Sequence, residues 1–216
     1  MTSKKKRLLL VGAGSLAREL AGWLDLRSVA FADFSFGGFL SDDPDSLSAY
    51  PQYQPAVIGS IADYQPKEED RLVMAIADPR AKLKVADLLL ERGSCFTGMV
   101  HPSVIISDWV SIGMGVVVCP NAVISCHAKI DDFSTINIGC TVGHDVSLGR
   151  GCTLSAHVDL TGFAEIGEGA FFGTHAAVLP KSRVGNYAKV GAGSMVLRSV
   201  KPGATVMGVP ARQISP

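Results

Sequence analysis

The chain lacks the features that mark several protein classes. Its 20 basic and 20 acidic residues give a formal net charge of zero, so nothing indicates a nucleic-acid or acidic-membrane partner. No apolar run reaches the ~18 residues that a membrane-spanning helix needs. Leu8–Val11, after the basic start, is too short for the apolar core of a signal peptide. We expect a chain without a membrane anchor or a leader.

Cysteine is scarce and shows no metal-binding or disulfide pattern. The five cysteines are odd in number, and no two have the CxxC spacing. Two of them, Cys140 and Cys152, fall in the apolar repeat described next. We therefore predict reduced packing residues in a cytoplasmic protein, with no metal site.

A six-residue period fills the second half of the chain. Large apolar residues recur at every sixth position from Ile106 to Val196, and small residues or valine recur four places after each of them, from Val110 to Val200. Neither an α-helix nor a simple strand has this period, which is typical of a parallel β-helix. Each hexapeptide then supplies one short strand and one corner, and both recurring residues point inward.

Three flat faces close one triangular coil, so residues that are three hexapeptides apart should stack. Glycines directly after the large residue are predicted to form the corners, because corners need unusual backbone angles. These glycines are Gly113, Gly143, Gly149, Gly167, Gly173, Gly185 and Gly191. Asp131 and Asn137 are predicted at two further corners.

Residues 1–95 follow a different pattern. Strands are predicted at residues 7–11, 31–39, 72–77 and 96–100, with helices at 15–26 and from Pro79 to about Arg92. The turn Gly12–Ala17 matches GxGxxA, a phosphate-binding signal that is weak when it stands alone. This part is too short for a complete dinucleotide fold, which argues against NAD. The sequence predicts a small βαβ, Rossmann-like domain at 1–95 and a parallel β-helix at 96–216.

His144 is the best candidate for a general base. It is placed at a corner, two residues after inward Val142, and Asp145 follows it. The residues one coil before and after it, Cys126 and Gly162, are small and are expected to leave room for a substrate. Histidine is suited to accept a proton near neutral pH. A surface histidine at a turn is the alternative interpretation.

These residues carry a family resemblance over nearly the whole chain. The chain resembles the sugar acyltransferases of the left-handed β-helix superfamily, most of all the bacterial group that N-acetylates nucleotide-linked amino sugars and is close to the sialic acid O-acetyltransferase type. The matching segments are GAGSLARE, Gly38–Asp43, Ile58–Ser60, Ala75–Asp78 with Arg80, His101–Pro102, Ile136–Asn137, Gly143–Asp145, Val190–Ser194 and Gly208–Arg212. The sequence departs from the family where Ala77 replaces a usual glycine and where the first turn lacks a common histidine.

The resemblance implies an activity and its residues. It implies acetyl transfer from acetyl-CoA to the amine of a UDP-, dTDP- or GDP-linked sugar for surface-glycan biosynthesis, in a cytoplasmic homotrimer with coenzyme A between subunits. His144 would be the general base, and Asp145 would orient its ring. The nucleotide would contact Gly14, Ser15, Leu16, Asp42 and Asp43. The coenzyme would contact Gly162 through its N–H, then Thr174, Ala192, Gly193, Arg198, Lys201 and Arg212.

Several interpretations stay open from the sequence. Asn121 and Asn137 hold the sugar or supply left-handed corners. His157 and His175 line the subunit interface or the pantetheine path, or are exposed structural residues. The activity is N-acetylation, O-acetylation of a sialic-acid-like sugar, or a non-catalytic binding scaffold.

Overall fold

The computed structural model describes residues 5–24 and 33–215. They form two compact units. One comprises Met1–Ala77 and Lys84–Thr97, and the other comprises Asp78–Leu83 and Gly98–Pro216. The boundary crosses one helix, whose first turn belongs to the second unit. The functional roles predicted for 1–95 and 96–216 stay predictions.

The first unit is a parallel four-stranded sheet with helices, as the βαβ pattern predicts. Its sheet has the order β3-β2-β1-β4. Its elements are β1 (Lys6–Val11), α1 (Ser15–Trp23), β2 (Phe34–Leu40), β3 (Val57–Gly59), β4 (Asp70–Met74) and, from Lys84 onward, α2 (Pro79–Glu91). Leu8 to Leu10 are fully buried, because β1 lies between β2 and β4.

Element ends and one strand differ from the sequence prediction. Strand β3 was not predicted, and it is short and pairs only with β2. The predicted strand at 72–77 begins two residues earlier, at Asp70–Met74. Leu26 and Phe31, the predicted end of α1 and start of β2, lie outside the described residues. In the predicted strand 96–100, Phe96 pairs with Leu72 of the first unit, whereas Met99 and Val100 pair with the second unit.

The second unit is the predicted parallel β-helix. Strands that are three hexapeptides apart pair in register, for example Lys129 with Ser147 and Ile130 with Leu148. They form three sheets: one of five strands, one of six and one of eight. The strands are β5 (Met99–Val100), β6 (Ile105–Ile106), β7 (Ser111–Ile112), β8 (Val117–Val118), β9 (Val123–Ile124), β10 (Lys129–Ile130), β11 (Thr135–Ile136), β12 (Thr141–Val142), β13 (Ser147–Leu148), β14 (Thr153–Leu154), β15 (Asp159–Leu160), β16 (Glu165–Ile166), β17 (Phe171–Phe172), β18 (Ala177–Val178), β19 (Arg183–Val184), β20 (Lys189–Val190), β21 (Met195–Val196), β22 (Thr205–Met207) and β23 (Arg212–Ser215).

The two inward rows predicted from the period form the core. From Val116 onward every residue of both rows is buried. Ile106 and Ile112, in the first coil, remain 41% and 38% exposed. The last strand, β23, runs antiparallel to β22 and ends the eight-stranded sheet.

The corners lie two residues later than predicted. Left-handed backbone angles occur at the third residue after each large one from Ile106 to Val190, not at the first. Corner 1, after the six-stranded sheet, carries Trp109, His127, Asp145, Phe163 and Lys181. Corner 2, after the eight-stranded sheet, carries Asn121, Gly139, His157, His175 and Gly193. Corner 3, after the five-stranded sheet, carries Gly115, Phe133, Gly151, Gly169 and Tyr187.

A steric requirement explains why glycines directly follow the large residues. A Cβ on Gly173 would come within 2.5 Å of the Ala192 nitrogen, and one on Gly143 within 2.9 Å of the Gly162 nitrogen. Neither glycine has a left-handed φ. They permit close approach of successive coils, so the predicted need for unusual backbone angles there was wrong.

Within the second unit, a buried lysine in the first turn of α2 donates hydrogen bonds to the eight-stranded sheet. Lys82 is fully buried, and its Nζ donates to Thr135 Oγ1 (2.9 Å), Thr153 Oγ1 (2.8 Å) and the Cys152 carbonyl (3.1 Å). These acceptors match the three donors of an ammonium group. Burial lowers the pKa of Lys82 to about 7.

Candidate active site

His144 and Asp145 lie together at corner 1, directly after β12. The His144 Nδ1 is 2.9 Å from Asp145 Oδ2. Adjacent side chains diverge in a regular strand, but Asp145 has a φ of 59°, and this left-handed corner turns its carboxylate toward the ring. When Nδ1–H donates to Asp145, Nε2 carries the lone pair of the neutral ring. Just over half of the His144 side chain is exposed, and its Nε2 lies over Gly162 of the following coil.

The His144 ring itself fills the space over Gly162. A Cβ on Gly162 would lie 2.5 Å from His144 Nε2. We expected Gly162 to leave room for a substrate. That expectation was wrong for the space into which a Cβ of residue 162 would point, because the His144 ring occupies it. Glycine is required there so that the ring can lean over the following coil.

Phe163 completes the surroundings of the base and was not predicted. Its ring meets the His144 ring edge to face, with centroids 5.1 Å apart and planes at 87°. Such an arrangement is favourable for aromatic pairs. The signal was present in the sequence, because Phe163 follows Asp145 by three hexapeptides and therefore stacks on the same corner.

Gly162 also presents a free backbone donor. Its neighbours Thr161 and Phe163 donate their N–H groups to the Val178 and His144 carbonyls. Throughout the described chain, no acceptor contacts the Gly162 N–H. An unengaged N–H beside a base is the donor that a developing oxyanion needs.

Three predicted cations meet at the carboxyl-terminal end of the β-helix. Arg198, Lys201 and Arg212 line one pocket of about 540 Å³. Arg198 lies in the same row of corner 1 as His144, three coils further along the register. At roughly 4.8 Å per coil, Arg198 lies about 14 Å from His144 along this corner.

The remaining coenzyme candidates lie at corner 2. Thr174, Ala192 and Gly193 follow strands of the eight-stranded sheet, and a Cβ added to Gly193 would meet no atom within 4 Å. The six-stranded sheet separates corner 2 from corner 1. One copy of the chain therefore does not bring these three residues together with His144 and Arg198.

The other candidates at corner 2 have structural roles as well. His157 and His175 stack with centroids 4.9 Å apart and planes at 8°. Asn121 has a left-handed φ of 60°, which fits the corner interpretation. Asn137 does not have one, and its Oδ1 accepts the Ile138 N–H at 2.7 Å.

The nucleotide candidates gather at one edge of the first sheet. Gly14 is the N-cap of α1 after β1, and Asp42 and Asp43 follow β2, which is the parallel neighbour of β1. Ser15 is exposed at the start of α1, whereas the Leu16 side chain is buried, so Leu16 offers only its backbone. Gly14, Ser15 and Leu16 form the amino end of α1, where anions bind favourably.

Hydrogen bonds hold both aspartates in place, Asp42 to the segment after β3 and Asp43 within its own loop. Asp42 Oδ1 accepts the Ala62 N–H (2.8 Å) and the Ser60 hydroxyl (2.7 Å). Both hydrogen bonds lower the pKa of the Asp42 carboxyl group, and the bond from the Ala62 amide has the larger effect. Asp43 Oδ1 accepts the Asp45 N–H at 3.0 Å.

Arg18 lies in the first turns of α1 and was not predicted as a site residue. Its Nη2 is 3.3 Å from Ser15 Oγ, and its guanidinium lies 4.1 Å from the Tyr50 ring centroid. The guanidinium thus adds positive charge beside the glycine turn.

Metal-binding clusters and membrane-spanning helices are both missing from the described part of the chain. No three His, Cys, Asp or Glu side chains in residues 5–24 and 33–215 are grouped as a metal ion would require. Within the same ranges, no helix is long and apolar enough to cross a bilayer.

Comparisons with known proteins agree on one family. The GDP-perosamine N-acetyltransferase of Escherichia coli O157:H7 is 30% identical over 148 residues, covering 65% of this chain and 66% of that protein. PerB from Caulobacter crescentus, solved with CoA and GDP-perosamine, superposes with a TM-score of 0.81 at 27% identity, over 96% of this chain and 97% of that chain. The acetyltransferase domain of PglB from Neisseria gonorrhoeae FA1090 gives a TM-score of 0.84 at 25% identity, over 97% of this chain and 100% of that chain.

The matches differ in extent. No protein-family model matches the chain. The chain spans 32% to 66% of the length of the first curated relatives that it matches. The two solved structures, in contrast, match nearly the whole chain, including the first unit and the β-helix. The chain belongs to the hexapeptide-repeat, left-handed β-helix acetyltransferase family.

Proposed function

We propose that the protein transfers the acetyl group of acetyl-CoA to the amino group of a nucleotide-linked amino sugar. The observation that carries this proposal is the His144–Asp145 pair, 2.9 Å apart, beside the free N–H of Gly162. A base and an oxyanion donor are what acyl transfer to an amine requires. The similarity to a GDP-perosamine N-acetyltransferase, and to a structure holding CoA and GDP-perosamine, supports the substrate class.

The geometry fits a direct transfer. His144 Nε2 accepts a proton from the sugar amine, and the nitrogen lone pair attacks the thioester carbonyl carbon. The carbonyl oxygen becomes an oxyanion that accepts a hydrogen bond from the Gly162 N–H. The carbon–sulfur bond then breaks, and the proton held by His144 passes to the coenzyme thiolate. Asp145 keeps the His144 ring oriented and stabilises its protonated form.

The coenzyme phosphates belong at the Arg198, Lys201 and Arg212 pocket. Guanidinium groups bind phosphates with paired hydrogen bonds, and the pocket is large enough for more than one phosphate group. The roughly 14 Å from His144 to Arg198 along corner 1 leaves the pantetheine arm to bridge the intervening coils.

The active form in this proposal is a homotrimer. Thr174, Ala192 and Gly193 contact the coenzyme from corner 2 of a neighbouring copy, because one copy places them a full sheet away from His144. A threefold arrangement of flat-sided coils brings corner 1 of one copy to corner 2 of the next.

The first unit binds the nucleotide. Gly14, Ser15 and the Leu16 backbone receive its phosphates at the amino end of α1, while Asp42 and Asp43 contact the nucleoside. Asn121 and Asn137 are sugar-contact candidates in the β-helix. We place the protein in the cytoplasm, in surface-glycan biosynthesis, and the five free cysteines fit a reducing compartment.

One assay tests the proposal. Thiol release from acetyl-CoA is followed with UDP-, dTDP- and GDP-linked amino sugars, and the products are identified by mass. The matched controls are the same sugar nucleotides with a hydroxyl group in place of the amine, and a sialic acid. We expect release with at least one amino sugar and none with its hydroxyl counterpart. Acetylation of the hydroxyl sugars instead indicates O-acetylation, and no release with any acceptor contradicts an enzyme role.

A binding screen narrows the acceptor before the assay. A nucleotide at ~100 times its dissociation constant adds ~2.7 kcal/mol to the free energy of unfolding, which a thermal-shift measurement detects. We expect one nucleoside diphosphate to raise the melting temperature more than NAD does. A larger shift with NAD contradicts the assignment of the first turn.

A further inference from the structure

A row of aromatic contacts runs from the core of the first unit to Arg18. Phe39 is fully buried in β2, and its ring meets the Tyr53 ring edge to face with centroids 6.1 Å apart. The Tyr53 and Tyr50 rings also meet edge to face, with centroids 6.4 Å apart. The Arg18 guanidinium lies over the Tyr50 ring, 4.1 Å from its centroid. Each contact is favourable, so the guanidinium is held in place from the core outward.

The Arg18 side chain points back toward the amino end of α1. Side chains on a helix lean toward its amino terminus, and residues three apart lie on the same face. The Arg18 Nη2 accordingly comes within 3.3 Å of the Oγ of Ser15, the first residue of α1. The guanidinium therefore lies beside the turn to which the proposed function assigns the nucleotide phosphates.

Positive charge is scarce at this edge of the first sheet. The segments 12–24, after β1, and 41–60, after β2, contain one basic residue between them, which is Arg18. The acidic residues in the same segments are Glu19, Asp42, Asp43 and Asp45. Among the residues that the structure describes, no carboxylate contacts the Arg18 guanidinium. A diphosphate bound at this edge therefore depends on Arg18 for its counter-charge.

We propose that Arg18 binds the diphosphate of the sugar nucleotide and that Tyr50 holds the guanidinium in position. The inference rests on the proposed function and adds a cation, with its support, to the phosphate site. A guanidinium stacked on a ring keeps its N–H groups in its own plane, where they are available for paired hydrogen bonds to phosphate oxygens. The amides at the amino end of α1 and this guanidinium are two separate sets of donors, one for each phosphate group. Tyr50 acts through Arg18 and is a positioning residue.

Binding measurements test this contact without any acetyl transfer. Titration calorimetry is carried out with UDP, dTDP and GDP, and ligand-observed NMR measures the binding of the three corresponding nucleosides. We expect Arg18→Met to raise the Kd of the diphosphate that the wild type binds best by at least tenfold, the equivalent of one hydrogen bond to a charged group. The Kd of its nucleoside should stay unchanged. Arg71→Met is the matched control with wild-type binding, because Arg71 lies at the start of β4 and donates to the Glu68 and Asp70 carbonyls.

A double-mutant cycle tests the role of Tyr50. Tyr50→Phe keeps the ring and should bind the diphosphate as the wild type does. Tyr50→Leu should raise its Kd about threefold, the equivalent of one cation–π contact at a partly exposed site. Because Tyr50 acts through Arg18, Tyr50→Leu should add nothing to the effect of Arg18→Met. Additive losses would show that Tyr50 contacts the nucleotide itself, and they overturn its positioning role.

The outcomes separate this inference from the proposed function. If the wild type binds a diphosphate and Arg18→Met binds it equally well, the Arg18 contact is wrong while the nucleotide site stands. An equal loss of diphosphate and nucleoside binding in Arg18→Met places the guanidinium on the nucleoside and also overturns the inference. If the wild type binds none of the three diphosphates, the nucleotide site of the proposed function fails, and this inference fails with it.

Discussion

His144 is the residue on which the proposed chemistry depends. We expect His144→Ala to lower turnover by ~10²–10⁴-fold, the usual contribution of a general base, while acetyl-CoA still binds. Asp145→Asn should cost less, because the amide still contacts Nδ1 but no longer stabilises the charged ring. Steady-state rates with one accepted amino sugar decide this, with His157→Ala and His175→Ala as comparisons that change affinity at most. Near-wild-type turnover of His144→Ala means that another group is the base.

Gly162 provides a second test that leaves the base in place. An added Cβ would lie 2.5 Å from His144 Nε2, so Gly162→Ala should push the ring away from the coil. We expect at least a ~10²-fold loss of turnover, comparable to removing a catalytic donor, with little change in melting temperature because the backbone N–H remains. Gly22→Ala, which adds a methyl group to open space in α1, is the matched control. Unchanged kinetics in Gly162→Ala would show that the ring is free to move.

The residues of the site were predictable to different degrees. His144 and Asp145 are adjacent in sequence, so the pair was evident without a structure. Phe163 and Gly162 contact His144 only because the chain returns to the same corner after three hexapeptides. The repeat predicted that Gly162 stacks next to His144. It did not predict that a side chain at residue 162 would collide with the His144 ring. The contact between Arg18 and Tyr50 joins two distant segments of the first unit and carries no periodic signal.

At the scale of elements, the first turn of α2 depends on one buried ammonium. Lys82→Met keeps the length of the side chain but removes the hydrogen bonds from Nζ to Thr135, Thr153 and the Cys152 carbonyl, although this carbonyl keeps its bond from the Thr135 N–H. We expect a loss of ~1–3 kcal/mol in the free energy of unfolding, the usual contribution of hydrogen bonds to a charged group. Thermal or denaturant unfolding measures it. Lys84→Met, an exposed lysine two residues later, is the control with no effect.

The same lysine gives a pH dependence with a defined sign. Its folded-state pKa of about 7 lies below its ordinary value of 10.5, so between these values the unfolded chain binds more protons than the folded chain. Stability contributed through Lys82 therefore rises with pH above 7, by up to ~1.4 kcal/mol per pH unit, and is flat below 7. The difference in melting temperature between wild type and Lys82→Met should change steadily from pH 7 to pH 9, in favour of the wild type. A constant difference contradicts the lowered pKa.

The elements were predicted where the pattern repeats and missed where it does not. The inward rows of the β-helix follow from sixteen consistent repeats, and the structure confirms the register. The position of the corners did not follow, because the left-handed residues include Trp109, His127, Lys181 and Tyr187, which have no turn preference in common. Lys82 is typical of a solvent-facing helix position in sequence, and only its contacts with Thr135 and Thr153, far along the chain, bury it.

At the scale of the whole molecule, the proposed trimer makes each site from two chains. His144→Ala removes the general base at corner 1, and Thr174→Trp should block coenzyme binding at corner 2. Each variant alone should form an inactive trimer of 22.7 kDa chains. In randomly mixed trimers about a quarter of the sites combine an intact corner 1 with an intact corner 2, so activity should reappear at about a quarter of the wild-type value.

Subunit exchange and the rate of thiol release measure this recovery. Mixing His144→Ala with itself under the same treatment is the control. If mixtures of the two inactive variants stay inactive while native mass shows mixed trimers, each site is built within one chain. If native mass shows only monomers, the coenzyme residues at corner 2 have another role.

Strand β23 covers the edge of the eight-stranded sheet at which another chain could otherwise add. In a stack of parallel coils each new strand presents the same free N–H and C=O groups as the last, so the end of the eight-stranded sheet is a template for another chain. The reversed direction of β23 against β22 closes that template, and it places the charge of Arg212 at the sheet end. A chain shortened after Met207 would expose this edge and add copies end to end. We expect it to form fibrillar aggregates, detectable by light scattering, whereas removing only residue 216 changes nothing.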